Sequence, residues 1–376
     1  MEESKLHILF LSGWYPSRVL PINGDFVQRH AEAIATKHKV SAVHLITDPK
    51  ANESIEISIS EINNVTTYIA YIKKTWNPIY KLYSFYKAYK EILKTVGDYH
   101  LIHLNKLYPF GIIALLSKLF IKKPFLITEH WSGYQKPHNR KISFLDKSIS
   151  KLIARKADFI CPVSQHLAMA MENFGLKGQY HPVPNVVKTN IFIPKKETNK
   201  RLTLIHISSL FDEVKNVTGI LNTLGALKKK EIDFICHFIG GTDTNFKEII
   251  SKNNLNKNDI LFIDFLEQEK LVSYLQQADA LLLFSNYENL PCVILEAFST
   301  GIPVIATNVG GISEYFPENF GKLIKVQDEK DLEEAIISIQ STKWATPNEM
   351  HNYAVENFSP AMIADKFDYL YKKMLS

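Results

Sequence analysis

Two carboxylates, Glu288 and Glu296, stand eight positions apart in the run Ser285-Asn286-Tyr287-Glu288-Asn289-Leu290-Pro291-Cys292-Val293-Ile294-Leu295-Glu296-Ala297-Phe298. The preceding residues 280–284 are continuously apolar and read as a buried parallel strand. Asn289 then falls where a helix N-cap would, and Pro291 suits the first helical turn, where its missing N–H costs nothing. Such a helix aims orphan backbone N–H groups and the positive end of its dipole out of the carboxyl edge of the sheet. The chemistry that edge offers is anion binding, and in a doubly wound sheet it is where ligands sit. Glu288 is placed at the helix mouth and Glu296 about one and a half turns further in. One carboxylate then addresses the part of a ligand ahead of its phosphates, and the other a part beside them. A sugar nucleotide carries hydroxyls in both places.

Continued through Gly301-Ile302-Pro303-Val304-Ile305-Ala306-Thr307-Asn308-Val309-Gly310-Gly311-Ile312-Ser313-Glu314, this segment resembles the signature of family-4 retaining glycosyltransferases. Those are GT-B enzymes that take a sugar from a nucleotide diphosphate donor. The resemblance rests on an apolar strand, Ser-x-x-Glu-x-x-Pro, an apolar helix, Gly-x-Pro-Val-Ile-Ala and a paired glycine. It covers almost the full chain and is most specific over residues 280–314. It implies donor contacts from Glu288, Asn289, Leu290, Pro291, Val293 and Glu296, with Glu288 also in a catalytic role.

Retaining transfer needs departure of a nucleoside diphosphate, stabilisation of an oxocarbenium-like sugar and a nearby acceptor hydroxyl. The leaving group gains negative charge, so preorganised cations and backbone N–H groups carry most of the catalysis. After a strand at residues 202–207 comes Ser208-Ser209-Leu210-Phe211-Asp212-Glu213-Val214-Lys215-Asn216. In the family this loop usually reads Gly-Arg-Leu and then Lys-Gly, and the resemblance gives Lys215 a catalytic, diphosphate-binding role. Ser209 stands where the arginine is expected and cannot supply its bidentate, permanent charge. Without the resemblance, Lys215 reads equally well as a solvated lysine at a helix start. His130, in Thr128-Glu129-His130-Trp131-Ser132-Gly133-Tyr134, matches a family histidine that contacts the transferred sugar. Its expected role is hydrogen-bond donation, because the leaving phosphate itself takes the acceptor proton in the mechanism ascribed to the family.

Gly24, just before Phe26-Val27-Gln28-Arg29-His30, allows close backbone approach to a ligand. The resemblance puts it beside the diphosphate, with the preceding loop near the acceptor; a plain tight turn explains it nearly as well. Arg29 and His30 read as acceptor contacts or as exposed residues. Phe265 and Leu266 align with a strand end whose backbone meets the nucleobase, and Asp264 replaces a frequent glycine there, which leaves the base open. Gly310 and Gly311 shape a turn, and Glu314 is a helix-start acid. No Asp-x-Asp pair or His/Asp cluster argues for a metal, so the expected donor site is metal-independent and the chain needs no cofactor beyond the donor itself.

Strand-like runs alternate with helical patterns along the chain, which indicates α/β architecture. Strands are read at 7–11, 40–46, 101–104, 125–128 and 159–163, and then at 202–207, 233–239, 261–265, 280–284, 304–306 and 322–324. Helical patterns fall at 26–36, 111–120 and 165–174. One open sheet of more than about ten strands would be unusual, so two facing Rossmann-like domains are expected. The Lys-rich 194–200 reads as the linker. The expected domains are an acceptor-binding 1–190 and a donor-binding 191–358. The tail Phe358-Ser359-Pro360 reads as a kink before a last helix, and the GT-B resemblance returns that helix, 359–376, to the first domain.

At 376 residues, 46% apolar and 22% charged, the composition is that of an ordinary globular chain of two domains. Three cysteines without metal-ligand spacing argue against a disulfide framework and for a reducing compartment. The start Met1-Glu2-Glu3-Ser4-Lys5 does not read as a signal peptide, and no apolar run reaches a membrane span. A cytoplasmic location, with attachment to the inner face of a membrane as an option, is the expectation. A net charge of +5 is too mild to imply nucleic acid.

Residues 71–94 hold six lysines and seven aromatics against one acid, Glu91, which concentrates positive charge on an aromatic surface. On a helical wheel Leu82, Phe85, Tyr89, Ile92 and Leu93 gather on an inward side. Tyr83, Tyr86, Lys87, Lys90 and Lys94 cover the neighbouring side, which suits an anionic bilayer, although a core-packing helix with a solvated lysine rim explains it slightly better. The expected function is transfer of a sugar from a UDP- or GDP-linked donor to a glycan or lipid-linked acceptor in cell-surface polysaccharide synthesis. The alternatives are a non-catalytic sugar-nucleotide-binding subunit, which Ser209 keeps open, and a same-fold epimerase or phosphorylase.

Overall fold

The structure, a computed structural model, describes residues 5–135, 143–194 and 201–376. The chain divides into two compact units: Met1–Val186 with Pro360–Ser376, and Val187–Ser359. The division falls at Val186/Val187, ahead of the stretch read as a linker, of which residues 195–200 lie outside the described residues, as do residues 1–4 of the amino-terminal reading.

The first unit is built on seven strands: β1 His7–Ser12, β2 Lys39–Asp48, β3 Ile55–Ile62, β4 Val65–Lys73, β5 Leu101–Asn105, β6 Phe125–Glu129 and β7 Phe159–Pro162. Their spatial order is β3-β4-β2-β1-β5-β6-β7, parallel except for the β3–β4 pair. Central strands such as β1, β5 and β6 are buried along their whole length, which explains their continuous apolar runs. The β3–β4 hairpin was not read from the sequence. β3 lies at the sheet edge with its last residues exposed, so it lacks a buried-strand run. Its signal is Asn63-Asn64, both with positive φ (50° and 63°), in a two-residue connection closed by the Ile62–Val65 pair.

The second unit carries β8 Leu202–Ile207, β9 Phe234–Ile239, β10 Ile260–Ile263, β11 Ala280–Leu283, β12 Val304–Thr307 and β13 Gly321–Ile324. They lie in the all-parallel order β10-β9-β8-β11-β12-β13. β10 ends at Ile263, two residues short of the expected strand, so Asp264 and Phe265 lie in the loop beyond it. Leu204, Val217, Leu221, Phe238, Leu282 and Phe284 form part of its core.

The helix Pro347–Phe358 opens with a Thr346/Glu349 capping box and Pro347 in the first turn. Ser359 leaves the helical region at ψ 155°, and Pro360 opens a second helix, Pro360–Leu375. That helix belongs to the first unit, where it packs on Asp25–Ala35. Ile363, Phe367, Leu370 and Tyr371 are buried there. The Tyr371 hydroxyl lies 2.6 Å from His103 Nδ1 on β5, and Asp368 lies 3.1 Å from His38 Nε2.

The helix Pro78–Val96 corrects one expectation. It buries Ser84, Ala88, Tyr89, Ile92 and Val96, while Leu82 is exposed and Phe85 and Leu93 are only half-buried. Two small residues, Ser84 and Ala88, let the helix sit close to the sheet, which turns Leu82 outward. Among the described residues no helix is long and apolar enough to cross a membrane.

Candidate active site

In the second unit β8 leads through β9 to β10 on one side, and the chain then returns to β11 on the other. The β8/β11 boundary is therefore the switch point at which an open α/β sheet leaves a crevice for ligands. The loops after these two strands are strapped together. Asn286 N–H donates to the Val214 carbonyl at 2.8 Å, and its side-chain amide donates to the Glu213 carbonyl at 3.0 Å. This brings Lys215 and Glu288, 73 positions apart, into an ion pair with both side chains largely shielded. Ser285 Oγ donates to the same Glu288 Oε1 at 2.8 Å, and Thr307 Oγ1 holds the Ser285 carbonyl at 2.6 Å.

Three glycines hold the loops around these strand ends. Gly310, at φ 61°, lies against the Glu288 carbonyl so closely that a Cβ would collide with it, and Gly311 N–H donates to the Asn289 carbonyl at 2.8 Å. Gly240, at φ 115°, approaches the Ser208 carbonyl in the same manner. His206, fully buried, lies 2.9 Å from the Leu282 carbonyl through Nδ1 and 2.7 Å from Ser208 Oγ through Nε2. Burial lowers its pKa to about 4, so the ring is neutral: Nδ1–H donates and Nε2 accepts. Ser208 Oγ in turn accepts the Leu210 N–H at 3.0 Å, which shapes the Ser208–Leu210 turn.

The helix that follows runs Cys292–Ser299, and Pro291, not Asn289, is its N-cap; no side chain caps it. The carbonyl of Asn289 is engaged by the glycine turn, which draws that residue away from the helix end. Leu290 is buried, while Pro291 and Val293 are half-buried at the helix start. Glu296 lies on the inner side of the helix at 1% exposure. Ser209 is exposed just past β8, and Phe265 (exposed) and Leu266 (half-buried) follow the edge strand β10.

The first unit has its own switch point between β1 and β5, where Gly13 N–H donates to the Asn105 carbonyl at 3.0 Å. His130, one residue past β6, is largely buried against Phe26 (ring centroids 4.7 Å apart) and His30 (5.4 Å). Burial, reinforced by His30, pushes its pKa well below the usual value, so it is a neutral imidazole. Glu129 is completely buried and accepts backbone N–H groups from Leu107 (3.1 Å), His130 (3.0 Å) and Trp131 (3.0 Å). Burial raises its pKa against those bonds. Gly24, at φ 82°, caps the helix Asp25–Ala35, and its close approach is to this chain's own backbone, 2.6 Å from the Trp14 carbonyl carbon for an added Cβ. Arg29 and His30 are buried, not exposed: Arg29 pairs with Asp25 at 2.8 Å, and His30 Nε2 lies 3.1 Å from the Pro184 carbonyl.

Sequence reading missed the supporting roles of His206, Gly240 and Glu129. The paired glycines Gly240-Gly241 straight after a strand were the visible signal for one of them. Nothing local marked His206. Among the described residues no group of His, Cys, Asp and Glu is arranged to hold a metal ion.

Two doubly wound units, with the final helix given back to the first, are the GT-B architecture. The family model described as glycosyl transferases group 1 matches residues 187–357, and that of glycosyltransferase family 4 matches residues 26–191. The chain is a GT-B-fold glycosyltransferase related to those two families. A Bacillus subtilis protein named for glycosyl transfer in teichuronic acid biosynthesis, TuaC, is 24% identical over 369 residues, 88% of each chain. The fold is similar to sucrose-phosphate synthase from Thermosynechococcus elongatus (TM-score 0.79, 19% identity, 98% of this chain and 99% of that one). It is also similar to Anabaena HepE solved in complex with UDP-glucose (TM-score 0.73, 16% identity, 98% and 100% of the two chains).

Proposed function

We propose that the chain is a retaining, metal-independent glycosyltransferase that uses a UDP- or GDP-linked sugar and extends a glycan or lipid-linked acceptor of a cell-surface polysaccharide. The observation that carries this reading is the Lys215–Glu288 pair at the switch point of the second sheet, next to an uncapped helix start. A nucleotide diphosphate fits there by charge: the ammonium and the helix N–H groups face the phosphates, and Glu288 accepts from a sugar hydroxyl. Glu296 lies further along the same helix for the ribose, and the backbone at Phe265–Leu266 suits the base. The second unit is thus the donor domain and the first the acceptor domain.

In the transfer, the bond from the anomeric carbon to the diphosphate oxygen breaks as the acceptor oxygen bonds to that carbon on the same face. The acceptor proton passes to the departing phosphate oxygen. Lys215 stabilises the charge that develops on the diphosphate. His130, held neutral, donates a hydrogen bond to the sugar. TuaC and UDP-glucose-bound HepE support the acceptor class and the donor class respectively.

A thermal-shift series with UDP, GDP, ADP and their sugar conjugates tests the donor site, because a ligand that binds only the folded state raises the melting temperature. A base-selective rise that weakens in Glu296→Ala is expected; no rise with any nucleotide would overturn the reading. Ser209 favours one rival, a sugar-nucleotide binder without turnover. Product formation from any acceptor would remove that rival.

The same proposal includes docking to an anionic membrane surface through the helix Pro78–Val96. Tyr83, Tyr86, Lys87, Lys90 and Lys94 are all exposed, and Leu82, turned outward, adds an apolar side chain at 73% exposure. Trp76, just before the helix, and Ile79, in its first turn, are more exposed still. Flotation with liposomes of anionic lipid should carry the protein at low salt and release it at high salt. Flotation that is indifferent to lipid charge and salt would sink the docking.

A further inference from the structure

Lys106 stands one residue past β5, at the switch point of the first sheet, and its backbone is left-handed, with φ 68°. A lysine there carries a backbone strain that glycine would not. Asn63 and Asn64 share that conformation in a hairpin turn, and Lys122 and Asn216 share it as helix caps. Lys106 serves neither purpose. Its backbone conformation aims the side chain, with the ammonium 3.9 Å from the Trp14 ring centroid and 5.9 Å from that of Trp131.

Three strand ends build this arrangement, and each is fixed from behind. Trp14 follows β1, and its backbone is pinned by Gly24 and by the Ser12 hydroxyl. Trp131 follows β6. The buried carboxylate of Glu129 takes the N–H of Trp131 with one oxygen and the N–H of Leu107, the neighbour of Lys106, with the other. One group thus sets the relation between the cation and its second aromatic wall. Trp14, Lys106 and Trp131 are all half-buried, so each presents surface to solvent. The Lys106 ammonium also acts on the buried Glu129 carboxylate, and its solvent-facing side, backed by two indoles, attracts an anion; indole edges and faces cover the C–H surface of a sugar ring.

We infer that Trp14, Lys106 and Trp131 form a binding site for a saccharide bearing an anionic group, either a phosphate or a carboxylate. The inference rests on the glycosyltransfer reading only in making that saccharide the acceptor. The site lies wholly within the first unit and is tested without the donor.

The probes are a hexose 1-phosphate, a hexuronate and a neutral methyl hexoside, titrated against the full chain by tryptophan fluorescence. Lys106→Gly removes the side chain and keeps the left-handed backbone without strain; Lys106→Asn removes the charge with a residue that also tolerates that conformation. The wild type is expected to bind at least one anionic probe about tenfold more tightly than the neutral one, as a charge-assisted contact allows. Both variants should lose that preference while still melting cooperatively, which shows that the fold is kept. The stronger of the two anionic probes names the group. Equal binding of all three probes by the wild type, or a preference that survives in Lys106→Gly, overturns the site. A wild type that prefers the anionic sugar yet shows no nucleotide-induced thermal shift overturns the glycosyltransfer reading and leaves the site standing.

Discussion

At the scale of single residues, Lys215 and Glu288 are the sharpest test. Lys215→Ala removes the cation from the crevice, and loss of one preorganised charge of this kind costs about 10²–10³ in turnover. Nucleotide release from the cognate donor should fall by that factor, with the change in kcat rather than in KM alone. A drop confined to KM would make Lys215 a ground-state contact. Ser209→Arg restores the planar cation that the related loop carries, and it should tighten donor binding by about tenfold, or by ~1.4 kcal/mol. An unchanged Kd by calorimetry would show that another group already fills that place. Lys215 and Glu288 were singled out by the resemblance, each a few residues past a strand end, and the fold pairs them. His206 and Glu129 were not, since each also bonds a backbone group that only the fold brings near, the Leu282 carbonyl for one and the Leu107 N–H for the other. Burial of Arg29 and His30 was equally invisible: their surroundings are set by the Asp25–Ala35 helix and by Pro184, far along the chain.

At the scale of elements, the glycine turns determine how the strand ends present their loops. Gly310→Ala forces a left-handed backbone on alanine and drives a methyl into the Glu288 carbonyl. The expected result is a loss of about 1–3 kcal/mol of stability together with weaker donor binding, read by thermal midpoint and calorimetry in one preparation. A stable variant with intact donor affinity would show that the Glu288 loop does not depend on this turn. The buried strands that were read were placed to within a residue or two because parallel strands covered on both faces are largely apolar; buried β4 was missed. Edge strand β3 escaped because its exposed residues carry no such run, and β4 because Thr66, Thr67 and the tyrosines interrupt its apolar sequence, although Asn63-Asn64 marked the turn between them. The cap of the Cys292–Ser299 helix was misplaced because the helix begins only at Cys292, which puts Pro291 in the cap position and leaves Asn289 in the loop before it. The outward Leu82 shows the same limit: a helical wheel sorts side chains by type, whereas close approach to the sheet selects for small ones.

At the scale of the whole molecule, each unit buries a histidine that resists protonation: His30 in the first and His206 in the second, both lowered to about 4 by burial. Below pH 6.5 the unfolded chain takes up protons that the folded chain refuses, so stability is full above that value and falls as pH drops toward 4. The loss is on the order of 3 kcal/mol per histidine at most. Glu129 works the other way, since its raised pKa favours the fold at the acid end. Melting temperature should therefore decline between pH 6.5 and 4, and His206→Gln should flatten the part due to the second unit. A midpoint constant over that range would contradict the neutral histidines. The two-unit architecture was legible from the alternation of strand and helix signals and from the number of strands; the place where the chain changes units was not, because it lies in no compositional break. The Pro360–Leu375 helix covers Ile363, Phe367, Leu370 and Tyr371, each burial worth about 1.5–3 kcal/mol. A chain stopped at Ser359 should thus show one calorimetric transition, that of the second unit, where the full chain shows the first unit's as well. That same helix sets an order on biosynthesis. Everything from Val187 to Ser359 must leave the ribosome before the first unit receives its last element, a wait on the order of 10–35 s. The second unit, contiguous in sequence, can close during that interval, so the unit made first is finished last, and a nascent chain must keep an apolar face shielded until its final residues emerge.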